Sequence, residues 1–172
     1  MVVLISVIGI YNKLVSLSEQ VDGQWAQVES VYQRRFDLIP NLVSSTKGFF
    51  KQEKDIYDRI ASAREAYSGA QSVAQKVIAA NQVESALGRL LAIVESNPEI
   101  KSIAAVTNLM TELAGTENRI SVERMRFNNS VKEYNVKVKR FPSNLIASLF
   151  GFGEREFFQA EEGAEQAPEV NL

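Results

Sequence analysis

Four charged residues fall on stripes that are otherwise apolar: Glu53, Glu84, Glu117 and Arg124. Glu and Arg are seldom buried unless paired, so each of these positions calls for a partner. One reading gathers Glu53, Glu84 and Glu117 around a divalent cation inside a helical bundle, as glutamates do in di-iron proteins. The chain has no His and no Cys, so that site is carboxylate-only and suits Mg²⁺, Ca²⁺ or Mn²⁺. The preferred reading is interhelical ion pairing, for example Glu53 or Glu117 with Arg124 or Arg64, which sets register and performs no chemistry.

The absent residue types exclude much else. Without Cys there is no disulfide and no thiol chemistry. Without His the chain lacks the usual general base, the usual zinc ligand and the usual pH switch. No catalytic motif stands in their place, so a non-enzymatic protein without a cofactor is expected. Net charge is −2, which argues against a nucleic-acid partner.

Two other polar clusters are candidates for binding. Arg34, Arg35, Asp37 and Asn41 surround Pro40. They read either as a helix terminus, with Asp37 or Asn41 capping the next helix, or as a docking surface for a protein partner. The second cluster is basic: Lys132, Lys137, Lys139 and Arg140 precede Leu145, Ile146, Leu149, Phe150 and Phe152. This run could lie against anionic headgroups, or its apolar part could plug the open end of a bundle core. The plug is preferred, because the residues from Glu154 onward carry a net charge of −5, which disfavours lipid contact.

The elements that would position these residues are helical. Residues at 8, 11, 14, 17, 21, 25, 28, 32 and 36 are all apolar or aromatic at steps of three or four. Pro40 predicts a break near 37–40. Further stripes follow, with Ser68-Gly69 and Ser96-Asn97-Pro98 as stop signals and Phe141-Pro142 closing the last. No segment alternates as a strand would. The pattern predicts an elongated antiparallel up-down-up-down four-helix bundle, with helices at about 5–37, 41–67, 71–95 and 103–140 and a short C-terminal helix. Trp25, Tyr32, Phe49, Tyr57, Phe127 and Tyr134 are assigned to its core, and residues 159–172 to an acidic disordered tail.

Val2 to Ile10 reads VVLISVIGI, nine residues where a membrane span needs roughly 20. It is either the start of a buried helix or the inner half of a transmembrane helix whose beginning lies outside this chain.

Several strings carry a resemblance. Tyr11-Asn12-Lys13-Leu14-Val15 comes first, then Arg34-Arg35-Phe36-Asp37-Leu38-Ile39-Pro40-Asn41-Leu42-Val43. Ala63-Arg64, Leu87-Gly88-Arg89-Leu90-Leu91 with Glu95 and Pro98, and Glu117-Asn118-Arg119-Ile120 follow. Arg124 with Tyr134-Asn135, and Phe141-Pro142 leading to Gly151-Phe152, complete the set. In this order, across about residues 11–158, they resemble the LemA family. Phe127 departs from the pattern, since Tyr is common before Asn128. The resemblance implies a bacterial membrane protein with one N-terminal transmembrane segment and a helical bundle, and favours the membrane reading of residues 1–10. Its expected role is that of an anchored interaction or scaffold protein. Lys13 and the Arg34-Arg35 pair, all after the apolar run, place the bundle on the cytoplasmic side by the positive-inside rule.

Overall fold

A computed structural model describes residues 2–49 and 54–158, with side chains placed from Ile5 onward and again from Asp55. The fold is all-α and bundle-like: α1 (Val2–Thr46), α2 (Lys54–Gly69), α3 (Val73–Ser96), α4 (Pro98–Lys101), α5 (Ala104–Lys139) and α6 (Ser143–Phe150). No strand occurs among the described residues. Glu53 and the acidic tail from residue 159 lie outside them.

The first helix boundary differs from the sequence expectation. α1 runs straight through Pro40 and ends only at Thr46. A proline inside a helix costs about 3 kcal/mol through its lost hydrogen bond and its ring clash. Against this stand Phe36, Ile39 and Leu42, all buried on one face around the proline. Burying each stabilises by roughly 1.5–3 kcal/mol, so together they outweigh the local penalty. The chain turns instead at Lys47–Phe49, where the amides of Lys47 and Phe49 bond to the carbonyls of Val43 and Thr46. Phe49, expected in the core, sits on this turn and is exposed.

The other stop signals act where the sequence places them. α2 ends at Gly69. Ser72 caps α3 by accepting from the Gln75 amide at 3.2 Å. Asn97 closes α3 by donating its side-chain amide to the Ile93 carbonyl at 2.7 Å, and Pro98 opens α4. Gly151 ends α6 at φ 75°, a left-handed conformation that favours glycine.

The chain divides into two units. The first holds residues 2–42 and 107–157. In it α1 and α5 run antiparallel, since rising positions on α1 meet falling ones on α5: Trp25 meets Phe127, Tyr32 meets Arg124 and Arg35 meets Glu117. Its core combines Leu14, Leu17, Val21, Val28 and Tyr32 of α1 with Leu113, Ile120, Phe127, Val131 and Tyr134 of α5.

The second unit holds residues 43–106 and Phe158 among those described. α2 packs on α3 here. α3 is long and apolar enough to cross a membrane by length and composition. It buries Val77, Ala80, Val83, Leu87, Leu90 and Val94 on one face; half-buried Lys76 and Glu84 fall on the same side, and Arg89 faces away and is exposed. A buried stripe on one side is the pattern of a helix that packs against a neighbour, here α2.

Candidate functional site

The polar residues of the first unit are used mostly against one another. Arg35 points inward, only 4% exposed, and its guanidinium pairs with Glu117 of α5. Arg124 reaches the Tyr32 hydroxyl through Nε at 3.0 Å and also stacks over that ring at 5.5 Å. Gln24 donates to Glu123 at 2.6 Å, and Glu123 also accepts from Arg126 at 2.8 Å. Ion pairing between helices was the preferred reading of the stripe charges, and Glu117 does pair. Its partner is Arg35 rather than Arg124 or Arg64.

Of the candidate carboxylates, Glu53 lies outside the described residues. Glu84 belongs to the second unit and Glu117 to the first. No group of three His, Cys, Asp or Glu lies close enough to hold an ion among the described residues. A titration with excess Mg²⁺, Mn²⁺ or Ca²⁺ is expected to leave the melting temperature of the full chain unchanged. A clear upward shift would, by linkage, show a bound cation and contradict this.

Around Pro40 the two adjacent arginines separate. Successive helix residues point about 100° apart. Arg34 therefore faces solvent together with Asp37 and Asn41, one turn and two turns further on, while Arg35 is buried. Asp37 accepts from Gln33 at 2.9 Å within the same helix. Because α1 continues to Thr46, none of these residues caps a helix. They form a mid-helix polar face.

The end of the first unit that holds the start of α1 and the end of α5 is built differently. Tyr11 contacts the rings of Phe150 and Phe152, with centroids 4.9 and 5.7 Å away. The segment after α6 is clasped from both sides. Asn135 and the Arg155 backbone exchange two hydrogen bonds of 2.8 Å. The Arg155 guanidinium donates to Ser18 and Asp22, each at 3.1 Å. Burial pushes the nearby Tyr134 hydroxyl above its usual range, and the Arg155 charge partly offsets this.

α6 corrects the plug expectation. It buries its small residues, Ser143 and Ala147, and turns Leu145, Leu149 and Phe150 to solvent. Phe141, just before it, is also exposed. Ile146 and Phe152 are half-buried, so only part of the apolar segment is covered.

On the second unit, α2 and α3 leave a shallow groove of about 310 Å³ lined by Arg59, Gln82, Ser85, Ala86 and Arg89. It holds cations and amides but no carboxylate, so it offers no acid–base pair.

A profile of the LemA family matches residues 24–172. The chain belongs to the LemA family. Its relatives include magnetosome proteins MamQ 1 and MamQ 2 of Paramagnetospirillum magneticum, each 29% identical over 87% of this chain. Magnetosome protein MamQ of Magnetospirillum gryphiswaldense is 29% identical over 86% of it. The match spans 64% of the length of each of these relatives.

The LemA strings now acquire a structural meaning. Arg35 of the string around Pro40 meets Glu117 of the Glu117-Asn118-Arg119-Ile120 string. Asn135 of the Tyr134-Asn135 pair clasps Arg155. Three of these strings thus contribute internal pairing, Arg35 with Glu117 between α1 and α5 and Asn135 with the segment after α6. Sequence reading missed two features: the inward turn of Arg35, and the exposure of α6.

Proposed function

We propose that this LemA protein is a membrane-anchored, non-enzymatic scaffold, held by the apolar start of α1 and presenting Arg34, Asp37 and Asn41 to protein partners. One observation carries the anchor. α1 begins at Val2, yet no residue from Ile5 to Ile10 is buried, and Ile5 and Ile8 are 63% and 52% exposed. An apolar helix segment that the fold leaves uncovered is stable in lipid, not in water. The nine residues from Val2 to Ile10 extend about 14 Å, roughly half the hydrocarbon core. The anchor is read as single-pass, with the bundle on the cytoplasmic side.

The scaffold role rests on lack of chemistry and on accessible polar surface. The MamQ relatives are named for a cellular structure rather than a reaction, which supports a non-enzymatic reading. Arg34, Asp37 and Asn41 share one exposed face, and an exposed Arg is a common anchor of protein interfaces.

Flotation with lipid vesicles tests the anchor. The full chain is expected to float, and Ile8→Asp to partition at least about 50-fold less, since a charge in the bilayer costs about 2.5–3.5 kcal/mol. A wild-type chain that stays in the aqueous layer overturns the proposal. For the docking face, partners recovered from membranes by the wild type should be lost with R34E/D37K. Equal recovery contradicts that part.

A further inference from the structure

We propose that α6 is an interfacial helix that lies on the bilayer surface beside the anchor, with Phe141, Leu145, Leu149 and Phe150 dipping among anionic headgroups. This rests on the anchor reading above and extends it to a second contact.

The helix is folded inside-out for a water-soluble domain. Small Ser143 and Ala147, four residues apart, form the buried face. Ile146 is half-buried beside them, but the other large residues point away: Leu145 is 61% exposed, Leu149 75% and Phe150 51%, with Phe141 at 75% just ahead. The small inner face allows α6 to lie close to its own unit while its apolar side chains remain uncovered. Asn144 and Ser148 are exposed polar positions of the same helix.

Two observations identify lipid as the occupant. The first is continuity with the anchor. Tyr11, which directly follows the apolar run of α1, contacts Phe150 and Phe152. The exposed residues of α6 and exposed Ile5 and Ile8 of α1 therefore meet at one end of one unit. Tyr11 at the root of an inserted helix matches the aromatic belt of membrane proteins, and Phe150 and Phe152 extend its apolar surface.

The second is charge. Residues 2–18 and 136–152 contain Lys13, Lys137, Lys139 and Arg140 and no Asp or Glu. Lys13, Lys139 and Arg140 are exposed, and Lys139 pairs with Glu154 at 2.8 Å. Exposed Glu156 and the paired Glu154 follow, and the four cations outnumber them at this end; an excess of cations around an apolar helix is the composition that binds anionic bilayers, burying its apolar face ~5–10 Å deep.

The chain has no cysteine, so single labels can be placed cleanly. An environment-sensitive fluorophore is attached to Leu149→Cys, to Ile8→Cys and, as a control on exposed α5 surface, to Val122→Cys. Each full-length protein is added to vesicles of phosphatidylcholine and phosphatidylglycerol that carry a shallow spin-labelled lipid. A label at 149 should shift to the blue and lose about two-fold or more of its emission to the lipid quencher, while 122 stays unchanged. Omitting phosphatidylglycerol should weaken the effect at 149. Quenching at 8 without quenching at 149 overturns the α6 contact and leaves the anchor standing. Quenching at neither removes both. A concentration-dependent shift at 149 without lipid, and no lipid quenching, means a second copy covers the face, and this also overturns the proposal.

Discussion

Phe127→Ala is expected to destabilise the first unit by about 3–5 kcal/mol, the range for deleting a fully buried aromatic. Phe127 is 2% exposed and packs edge-on against Trp25 across the α1–α5 interface, centroids 5.2 Å apart. Domain stabilities are about 5–15 kcal/mol, so the loss is a large fraction of the total. Trp25 is the only tryptophan, so its fluorescence during urea unfolding reports from the site of the change. An unfolding midpoint close to wild type would mean that α1 and α5 do not meet at this layer.

The second large effect is an asymmetry between partners. Glu117→Ala should cost about 2–3 kcal/mol, whereas Arg35→Met should cost less than about 1 kcal/mol. The reason is where the remaining charge is left. The Arg35 side chain is 5% exposed and its Nε has no hydrogen-bond partner among the described residues, whereas Glu117 is 49% exposed. Removing Glu117 leaves a buried guanidinium with its carboxylate gone. Removing Arg35 leaves a carboxylate that water can hydrate, and Met fills most of the vacated stem. The range for Glu117 lies below that for a fully buried pair because half of its side chain already faces solvent. Thermal or urea unfolding of both variants measures the difference. Equal losses would show that the pair acts as an ordinary surface ion pair.

These two sites also show what the sequence could reveal. The apolar stripes are legible because helical period repeats over many turns, and Val28, Tyr32, Phe36, Ile120, Phe127, Val131 and Tyr134 are all buried as expected. Capping signals at Ser68-Gly69 and Asn97-Pro98 work because they act within a few residues. Pro40 misleads for the opposite reason. Its local penalty is visible, but the burial of Phe36, Ile39 and Leu42 that overrides it depends on distant packing. Arg34 and Arg35 are chemically identical neighbours; helical period sets Arg35 among buried Tyr32, Ile39 and Leu42, while its partner Glu117, 82 residues away, is not legible from local sequence.

α6 is the clearest case. Its pattern is amphipathic, and the usual inference puts the apolar face in the core. That inference presumes water on the other side. Ser143 and Ala147 face the unit and leave Leu145, Leu149 and Phe150 outside, the arrangement expected of the interfacial helix proposed above. The same logic applies to Ile5 and Ile8.

Hydrogen–deuterium exchange of the full chain with and without anionic vesicles tests the membrane-facing end most directly. Added protection is expected in residues 2–11 and 141–152, with α3 and the Arg34–Asn41 face unchanged. Protection that instead appears over Val73–Ser96, or at neither terminal segment, would contradict the account.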